Sequence, residues 1–447
     1  MRPNRLLTAV LAATSLAFAN VGAVTAIDEL DTPASDLRVT LDRLLSEHAF
    51  LTVQAMHAGL TDDEQFAAAA TALESNTREL EGAITGIYGE AGGQQFGDLW
   101  RAHIGFVVDY TRARDAADQD AEQRALDGMA TYQDEFARFL AEANPNLTEE
   151  AVHHLLEDHL RQLQQIADLQ SGDYEGVYEA AREAYGHMFD LGDGLSGAIA
   201  AQFPDTFTGS AVAFGPAFDL RVALDRLLGE HAFLAVEVMR QADAGAGAEL
   251  AASNALASNG ESLRAAITDI YGEDAGRGFA DIWEQHNGYY IDYVRALVAD
   301  DTGAQRRSRE GLEVFSGRVA DFFVSANDLI SPDAVRLGLG AHTDHLVRQV
   351  EAFASGDYVA AFTIGREAYH HMGAISDLLA TGIVNQFPER FLPDTALRPA
   401  PVTTSAGWLA VVLVVALLLA ARHVAGLRNY VVPIEPQPTS AGRVHLR

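Results

Sequence analysis

The sequence predicts an all-α protein built from two copies of one helical bundle. Apolar residues recur at spacings of three and four throughout, and no stretch alternates with period two for long enough to predict a strand. The segment Leu44–Leu51 returns 183 residues later as Leu227–Leu234, each time with a Glu-His pair at its centre. The same offset aligns many further residues, and it becomes 184 after one inserted residue. An internal duplication of a helical unit explains all three observations.

Six helices are predicted in the first copy, at about 36–59, 62–88, 94–116, 119–143, 149–170 and 174–201. Thr61 with Glu64 has the pattern of a capping box, and Gly89 is one of three glycines that end the second helix. In the second copy, Ser331 followed by Pro332 is typical of a helix start. The resulting boundaries are repeat 1 at 36–207, a linker at 208–218, repeat 2 at 219–391 and a stalk at 392–405.

The two ends of the chain predict an envelope location. Residues 1–26 have the basic start, short apolar run and small residues of a secretory signal peptide. Residues 406–421 are uncharged and apolar, and the arginines that follow predict a transmembrane anchor with residues 422–447 as a cytoplasmic tail. Leu392–Ala396 resembles a sortase signal, although Ala396 stands where glycine is usual. A retained membrane anchor is favoured over sortase attachment, and both place the body of the protein outside the cytoplasm.

Composition excludes several functions. The formal net charge is −32, which repels nucleic acid and anionic lipid surfaces. The absence of cysteine rules out disulfides, thiolate metal sites, iron–sulfur clusters and cysteine catalysis within this chain. The sequence contains no nucleophile elbow, phosphate-binding glycine loop or HExxH motif, so it assigns no catalytic residue.

Histidines are the residues that point to chemistry. Four positions carry histidine in both copies, on four different predicted helices: His48/His231, His103/His286, His159/His342 and His187/His371. The first three pairs lie on apolar stripes and the fourth pair at the edge of one. A buried imidazole must satisfy both of its nitrogens, and the cores of helical bundles are common places for metal sites.

These positions predict a transition-metal site in each repeat, with copper or zinc ahead of iron or haem. The alternative is a structural network of histidines and carboxylates. Additional ligands or supporting groups are Glu47, Glu183, Met188, Glu230, Glu367 and Met372. A di-iron carboxylate site is disfavoured, because Glu367–His370 has the required Glu-x-x-His spacing but the first copy has Gly186 in place of that histidine.

The motifs LDRLLxEHAFL, IYGExAG, WxxHxGxxxDY, SGDY, REAYxHM and QFP cover nearly all of residues 36–391. This set resembles a helical domain of secreted bacterial surface proteins, which is found beside copper-amine-oxidase-like N-terminal domains. The resemblance implies an envelope location and a link to copper. It transfers no catalytic residues, and it does not imply the chemistry of copper amine oxidases.

Together these observations predict an envelope-anchored protein that binds, stores or senses a metal ion outside the cell, and they favour a non-enzymatic role over an enzymatic one. Two other hypotheses stay open. In one, the protein is a surface module that contacts another envelope protein, and its histidines are structural. In the other, it is a redox enzyme that uses the same metal.

Overall fold

A computed structural model describes residues 31–169, 172–242 and 246–391, and within these ranges every regular element is a helix, as predicted. The helices of the first half are α1 Pro33–Thr61, α2 Asp63–Asp115, α3 Gln119–Ala143, α4 Glu149–Leu169, α5 Tyr174–Gln202 and α6 Ser210–Ala213. Those of the second half are α7 Pro216–Gln241, α8 Ala246–Tyr271, α9 Glu273–Val298, α10 Thr302–Ala326, α11 Pro332–Ala354, α12 Tyr358–Gln386 and α13 Pro388–Phe391.

The predicted signal peptide, stalk, transmembrane anchor and cytoplasmic tail lie outside the described residues. Among the helices that are described, none is long and apolar enough to cross a membrane.

The second and third predicted helices run together as the kinked helix α2. Gly89, at φ 83° and ψ 174°, interrupts it where the sequence placed a helix end. In repeat 2 the equivalent Gly272, at φ 90° and ψ 170°, separates α8 from α9. Glycine is required at both positions because a side chain is strained at positive φ.

One of the two predicted helix starts is confirmed and the other is shifted. Ser331 caps α11 by accepting a hydrogen bond from the amide of Ala334. The cap of α2 is Asp62, which accepts from two amides, and Thr61 instead donates to the carbonyl of His57 within α1. A carboxylate is a strong cap at a helix N-terminus because it also interacts favourably with the helix dipole.

The two repeats pack reciprocally within one compact unit. Within the repeats, α1 packs on α2 and α5, and α7 packs on α8 and α12. Between them, α12 contacts α2 and α8 contacts α5, which are equivalent pairs. The predicted linker holds α6 and the first turn of α7.

Equivalent residues meet where α1 and α7 face each other. The rings of Phe50 and Phe233 have centroids 4.6 Å apart, and Gln54 Nε2 donates to Glu237 Oε1 at 3.1 Å. In each pair the partners are 183 residues apart in sequence. The repeats are therefore related by an approximate twofold axis that passes between these helices, and their interface is that of a symmetric dimer within one chain.

Candidate metal centre

Three histidines of repeat 1 converge in the core of the bundle. They are His48 on α1, His103 on the second half of α2 and His159 on α4. The Nε2 atoms of His48 and His103 lie 3.1 Å apart, and the ring of His159 has its centroid 6.2 Å from each of the other two. One nitrogen from each ring can be chosen so that all three lie within 4.8 Å of one another. We call this set the first triad.

Repeat 2 builds the equivalent arrangement, the second triad, from His231 on α7, His286 on α9 and His342 on α11. The three ring centroids are 5.5, 5.5 and 5.7 Å apart, which is close to an equilateral triangle. Ligand nitrogens can again be chosen within 4.8 Å of one another. The duplication has therefore preserved a three-helix geometry, in addition to the histidines.

Aromatic side chains hold the rings in place. Trp100 packs against His48 and His103, with centroids 4.7 and 4.6 Å away, and Trp283 packs against the equivalent pair in repeat 2. One further aromatic ring stacks on a histidine of each triad. Tyr132 on α3 stacks on His103 with ring centroids 4.7 Å apart, and Phe315 on α10 stacks on His286 with centroids 3.9 Å apart. Such packing restricts the rotation of the imidazoles.

Burial keeps all six imidazoles neutral. None of the six residues is more than 1 % exposed. Desolvation lowers the pKa of His103 and of His231 to about 3, opposed at His103 by a contact with the backbone of Trp100. Burial followed by repulsion from neighbouring rings holds the pKa of His48, His159, His286 and His342 well below the usual range. A neutral imidazole has a free lone pair, which is the form that coordinates a metal.

Several ring nitrogens have no hydrogen-bond partner among the described residues. This holds for both nitrogens of His159 and for all six nitrogens of the second triad. Leaving a buried polar group unsatisfied costs about 1–3 kcal/mol. A purely structural network would pair these groups with one another or with carboxylates, and the second triad shows no such pairing.

The arrangement fits the demands of a small transition-metal ion. Nitrogen ligands at 2.0–2.1 Å from a tetrahedral ion lie about 3.3 Å apart. The His48–His103 separation of 3.1 Å is close to this value, and the other ligand nitrogens of each triad can be chosen within 4.8 Å of one another. Three histidines would hold the ion and leave one coordination position for water or another ligand. The chemistry that such an ion supplies is Lewis acidity or, for copper, electron transfer.

The fourth predicted histidine of each repeat does not join its triad. His187 Nε2 donates to the carbonyl of Leu155 at 2.9 Å, and His371 Nε2 donates to the carbonyl of Gly338 at 2.7 Å. Both are half-buried at the edge of the bundle, where the sequence placed them. The methionines proposed as additional ligands, Met188 and Met372, are fully buried in the apolar core.

The glutamates predicted beside the histidines have a different partner. Glu47 receives two hydrogen bonds from Arg366 of the other repeat, both at 2.9 Å, and Glu230 receives two from Arg182, at 2.9 and 3.1 Å. Neither carboxylate belongs to a triad. Glu183 and Glu367, the other predicted carboxylates, are exposed on α5 and α12. Glu47 and Glu230 therefore join the repeats.

Glu47 also lies near a half-buried histidine, His370, at 3.2 Å, and close to Glu79. This group has the residue types of a metal site, but the guanidinium of Arg366 already binds both carboxylates at 2.9 Å. Burial raises the pKa of Glu47, but His370 and Arg366 together lower it to about 2. A second cation would have to displace the arginine, so we assign this group to the interface.

Sequence reasoning missed the residues that complete these ion pairs. Asn76 and Asn259 donate to Glu47 and Glu230 at 2.8 and 2.7 Å, while also donating to a backbone carbonyl of α1 or α7. The two asparagines are themselves 183 residues apart, so the duplication held the signal that could have identified them. Each asparagine contacts a carboxylate on the preceding helix, and helical spacing within one helix does not predict such a contact.

Comparisons with protein-family models, with curated proteins and with solved structures found no match to this chain. The functional argument therefore rests on the geometry of the two triads.

Proposed function

We propose that this protein binds two copper or zinc ions, one in each triad, and holds them outside the cytoplasm at the cell envelope. The observation that carries the proposal is the convergence of three buried imidazoles with unpartnered nitrogens, built twice from three equivalent helices. Imidazole nitrogen is a preferred ligand of both ions, and copper is also the ion suggested by the resemblance of the repeat motifs.

Holding the ion fits the geometry better than catalysis does. The six ligand residues are at most 1 % exposed, so a substrate cannot reach a bound ion without movement of the helices. Among the described residues, the rings of Trp100, Tyr132 and Phe315 pack on ligand imidazoles, and these rings supply no acid or base near neutral pH. We therefore place the protein among metal-binding or storage proteins and not among redox enzymes.

The rival function is a non-metal surface module in which the histidines are structural. The hydrogen-bond distance between His48 and His103 favours this rival in repeat 1. Repeat 2 has no equivalent hydrogen bond within its triad among the described residues, although its rings are as deeply buried. The two hypotheses differ in what they predict for added metal.

The full chain is made without a histidine affinity tag and dialysed against a buffered excess of Cu or Zn. Each protein chain should then hold two metal ions. Binding to the native state alone should raise the melting temperature, because a free ion concentration 1,000 times Kd stabilises by about 4.1 kcal/mol. The exposed His154 offers a control: His154→Ala should leave the stoichiometry at two. A chain that binds no metal and melts at the same temperature with and without Cu or Zn would overturn the proposal in favour of the structural network.

The envelope location is tested separately. The mature chain should fractionate with membranes and begin after residue 26, where the signal peptide is expected to end. Recovery from the cytoplasm with residues 1–26 still attached would contradict this part of the proposal and leave the metal sites untouched.

A further inference from the structure

Repeat 2 contains two histidines outside its triad that lie next to a ligand. His345 is one helical turn after His342 on α11, and its ring centroid is 5.4 Å from that of His371 on α12. Both outer rings are half-buried, whereas His342 is fully buried. The three residues therefore form a series that leads from the protein surface to the second triad.

The outer rings offer free nitrogens to a metal ion. Because the carbonyl of Gly338 can only accept, the proton of His371 is on Nε2, and its Nδ1 carries a lone pair. The Nδ1 atom of His345 is buried and has no hydrogen-bond partner among the described residues.

A carboxylate lies near this outer pair of histidines. Glu367 is exposed and lies one turn before His371 on the same face of α12. Its charge raises the pKa of His345, opposing burial and the repulsion from His371. Two imidazoles beside an exposed carboxylate attract a divalent cation from solvent, while the buried triad alone is out of its reach.

Repeat 1 lacks half of this arrangement. His187 occupies the place of His371 and makes the same hydrogen bond to the backbone of α4. At the position equivalent to His345, however, repeat 1 has Gln162, which is nearly buried and cannot bind Cu(II) or Zn(II) as an imidazole does. The sequence difference is a single side chain at the same point of equivalent helices.

We propose that His345 and His371, beside the charge of Glu367, form an outer binding site that takes a divalent transition-metal ion from solvent and passes it to the second triad. The inference rests on the proposed function, because it needs the triad as the final site. A relay of this kind lowers the barrier to exchange in both directions and leaves the equilibrium affinity of the triad unchanged. The second site should therefore load and release its ion faster than the first.

The test is stopped-flow loading of the full chain with Cu(II), which quenches tryptophan fluorescence on binding nearby. With Trp408→Phe in both backgrounds, Trp100→Phe makes Trp283 the reporter of the second triad, and Trp283→Phe makes Trp100 the reporter of the first. In the Trp100→Phe background, His345→Gln should slow loading by about tenfold, the effect of ~1.4 kcal/mol on a barrier. Extraction of copper by a chelator should slow by the same factor, and the ratio of the two rates should not change.

The reciprocal variant keeps the inference testable if His345→Gln disturbs folding. Gln162→His, in the Trp283→Phe background, should speed the loading of the first triad. Unchanged rates in both variants, with two ions still bound, would overturn the relay and leave the proposed function intact. Loss of the second ion at equilibrium in His345→Gln would also overturn it, because His345 would then be a ligand. Failure of the unaltered chain to bind copper at all would remove the proposed function as well.

Discussion

The carboxylate of Glu47 receives both hydrogen bonds of a guanidinium fork from Arg366, although the two residues are 319 positions apart and belong to different repeats. Glu47 is completely buried and precedes a ligand of the first triad, His48. In the equivalent contact, Arg182 of repeat 1 donates two hydrogen bonds to Glu230 of repeat 2. The helices that carry the first ligand of each triad are thus fixed by the partner repeat.

Breaking either ion pair should destabilise the whole unit. Arg366→Ala and Arg182→Ala each leave a buried carboxylate without its main partner, which typically costs about 3–5 kcal/mol. The measurement is the free energy of unfolding in urea. As a control, Arg348→Ala removes an exposed pair with Asp344 and should change stability by less than ~1 kcal/mol. Equal effects of the buried and exposed substitutions would contradict the role assigned to these pairs.

Asp42 should make the stability of the protein depend on pH. Burial, with repulsion from Asp193, holds the pKa of Asp42 well above its usual range, and neither carboxyl oxygen has a hydrogen-bond partner among the described residues. In the unfolded chain this carboxyl ionises near pH 3.9. Because the native state retains the proton to higher pH, Asp42 reduces stability as pH rises above about 4, by up to ~1.4 kcal/mol per pH unit.

Asp42→Asn should therefore stabilise the protein, with a gain that is absent near pH 3 and grows until the folded pKa is passed. The matched control is Asp225→Asn at the equivalent position of repeat 2. Burial raises the pKa of Asp225 too, although Arg43 opposes this effect. Asp225 accepts two hydrogen bonds from Arg43, and their loss should reduce stability at pH 7. Urea unfolding of both variants between pH 3 and 8 measures the difference. A gain that does not vary with pH in Asp42→Asn would count against a protonated buried carboxyl.

Asp42 and Asp225 differ in their arginine partners because glycine and a large residue exchange places at two equivalent positions of the repeats. Gly373 leaves room for Arg43, since a Cβ atom there would lie 2.6 Å from its guanidinium carbon. The equivalent residue in repeat 1 is Phe189, and Arg226 instead lies over Gly186, where repeat 2 has His370. Arg43 therefore reaches Asp225, whereas no arginine in the described part of the chain donates a hydrogen bond to Asp42.

Periodicity and duplication together predicted the helices and the inward histidines, because both depend on spacing along one chain. His48, His103 and His159 lie on apolar stripes, and the stripes face the core as expected. The partners of Glu47 could not be found in this way, since Arg366 reaches it from the other repeat. The spacing of residues along the sequence does not show how one helical bundle packs against the other. The edge position of His187 was also predicted, but not that its ring would be bonded to the backbone.

The glycines at the helix breaks should resist substitution. Gly89→Ala and Gly272→Ala each place a side chain at a φ near +85° and should cost about 1–3 kcal/mol. Gly82 is exposed within a regular part of α2, and a Cβ atom there meets nothing within 4 Å. Gly82→Ala should therefore stabilise by about 0.5–1 kcal/mol. Thermal unfolding of the three variants decides the matter, and a loss in all three would contradict the backbone argument.

The two triads should fill independently. His103→Ala should remove the first ion and His286→Ala the second, because each histidine belongs to one triad only. Each single variant should then bind one ion per chain, and the double variant none, as measured by elemental analysis after removal of free metal. Loss of both ions in a single variant would show that the sites depend on each other across the interface.

Anomalous diffraction from crystals of the full chain grown with copper or zinc tests the central claim most directly. We expect two anomalous peaks per chain, one about 2.0–2.1 Å from nitrogens of His48, His103 and His159, and one at the same distance from those of His231, His286 and His342. Peaks confined to surface carboxylates and exposed histidines, with both triads bonded only to protein or water, would contradict the account.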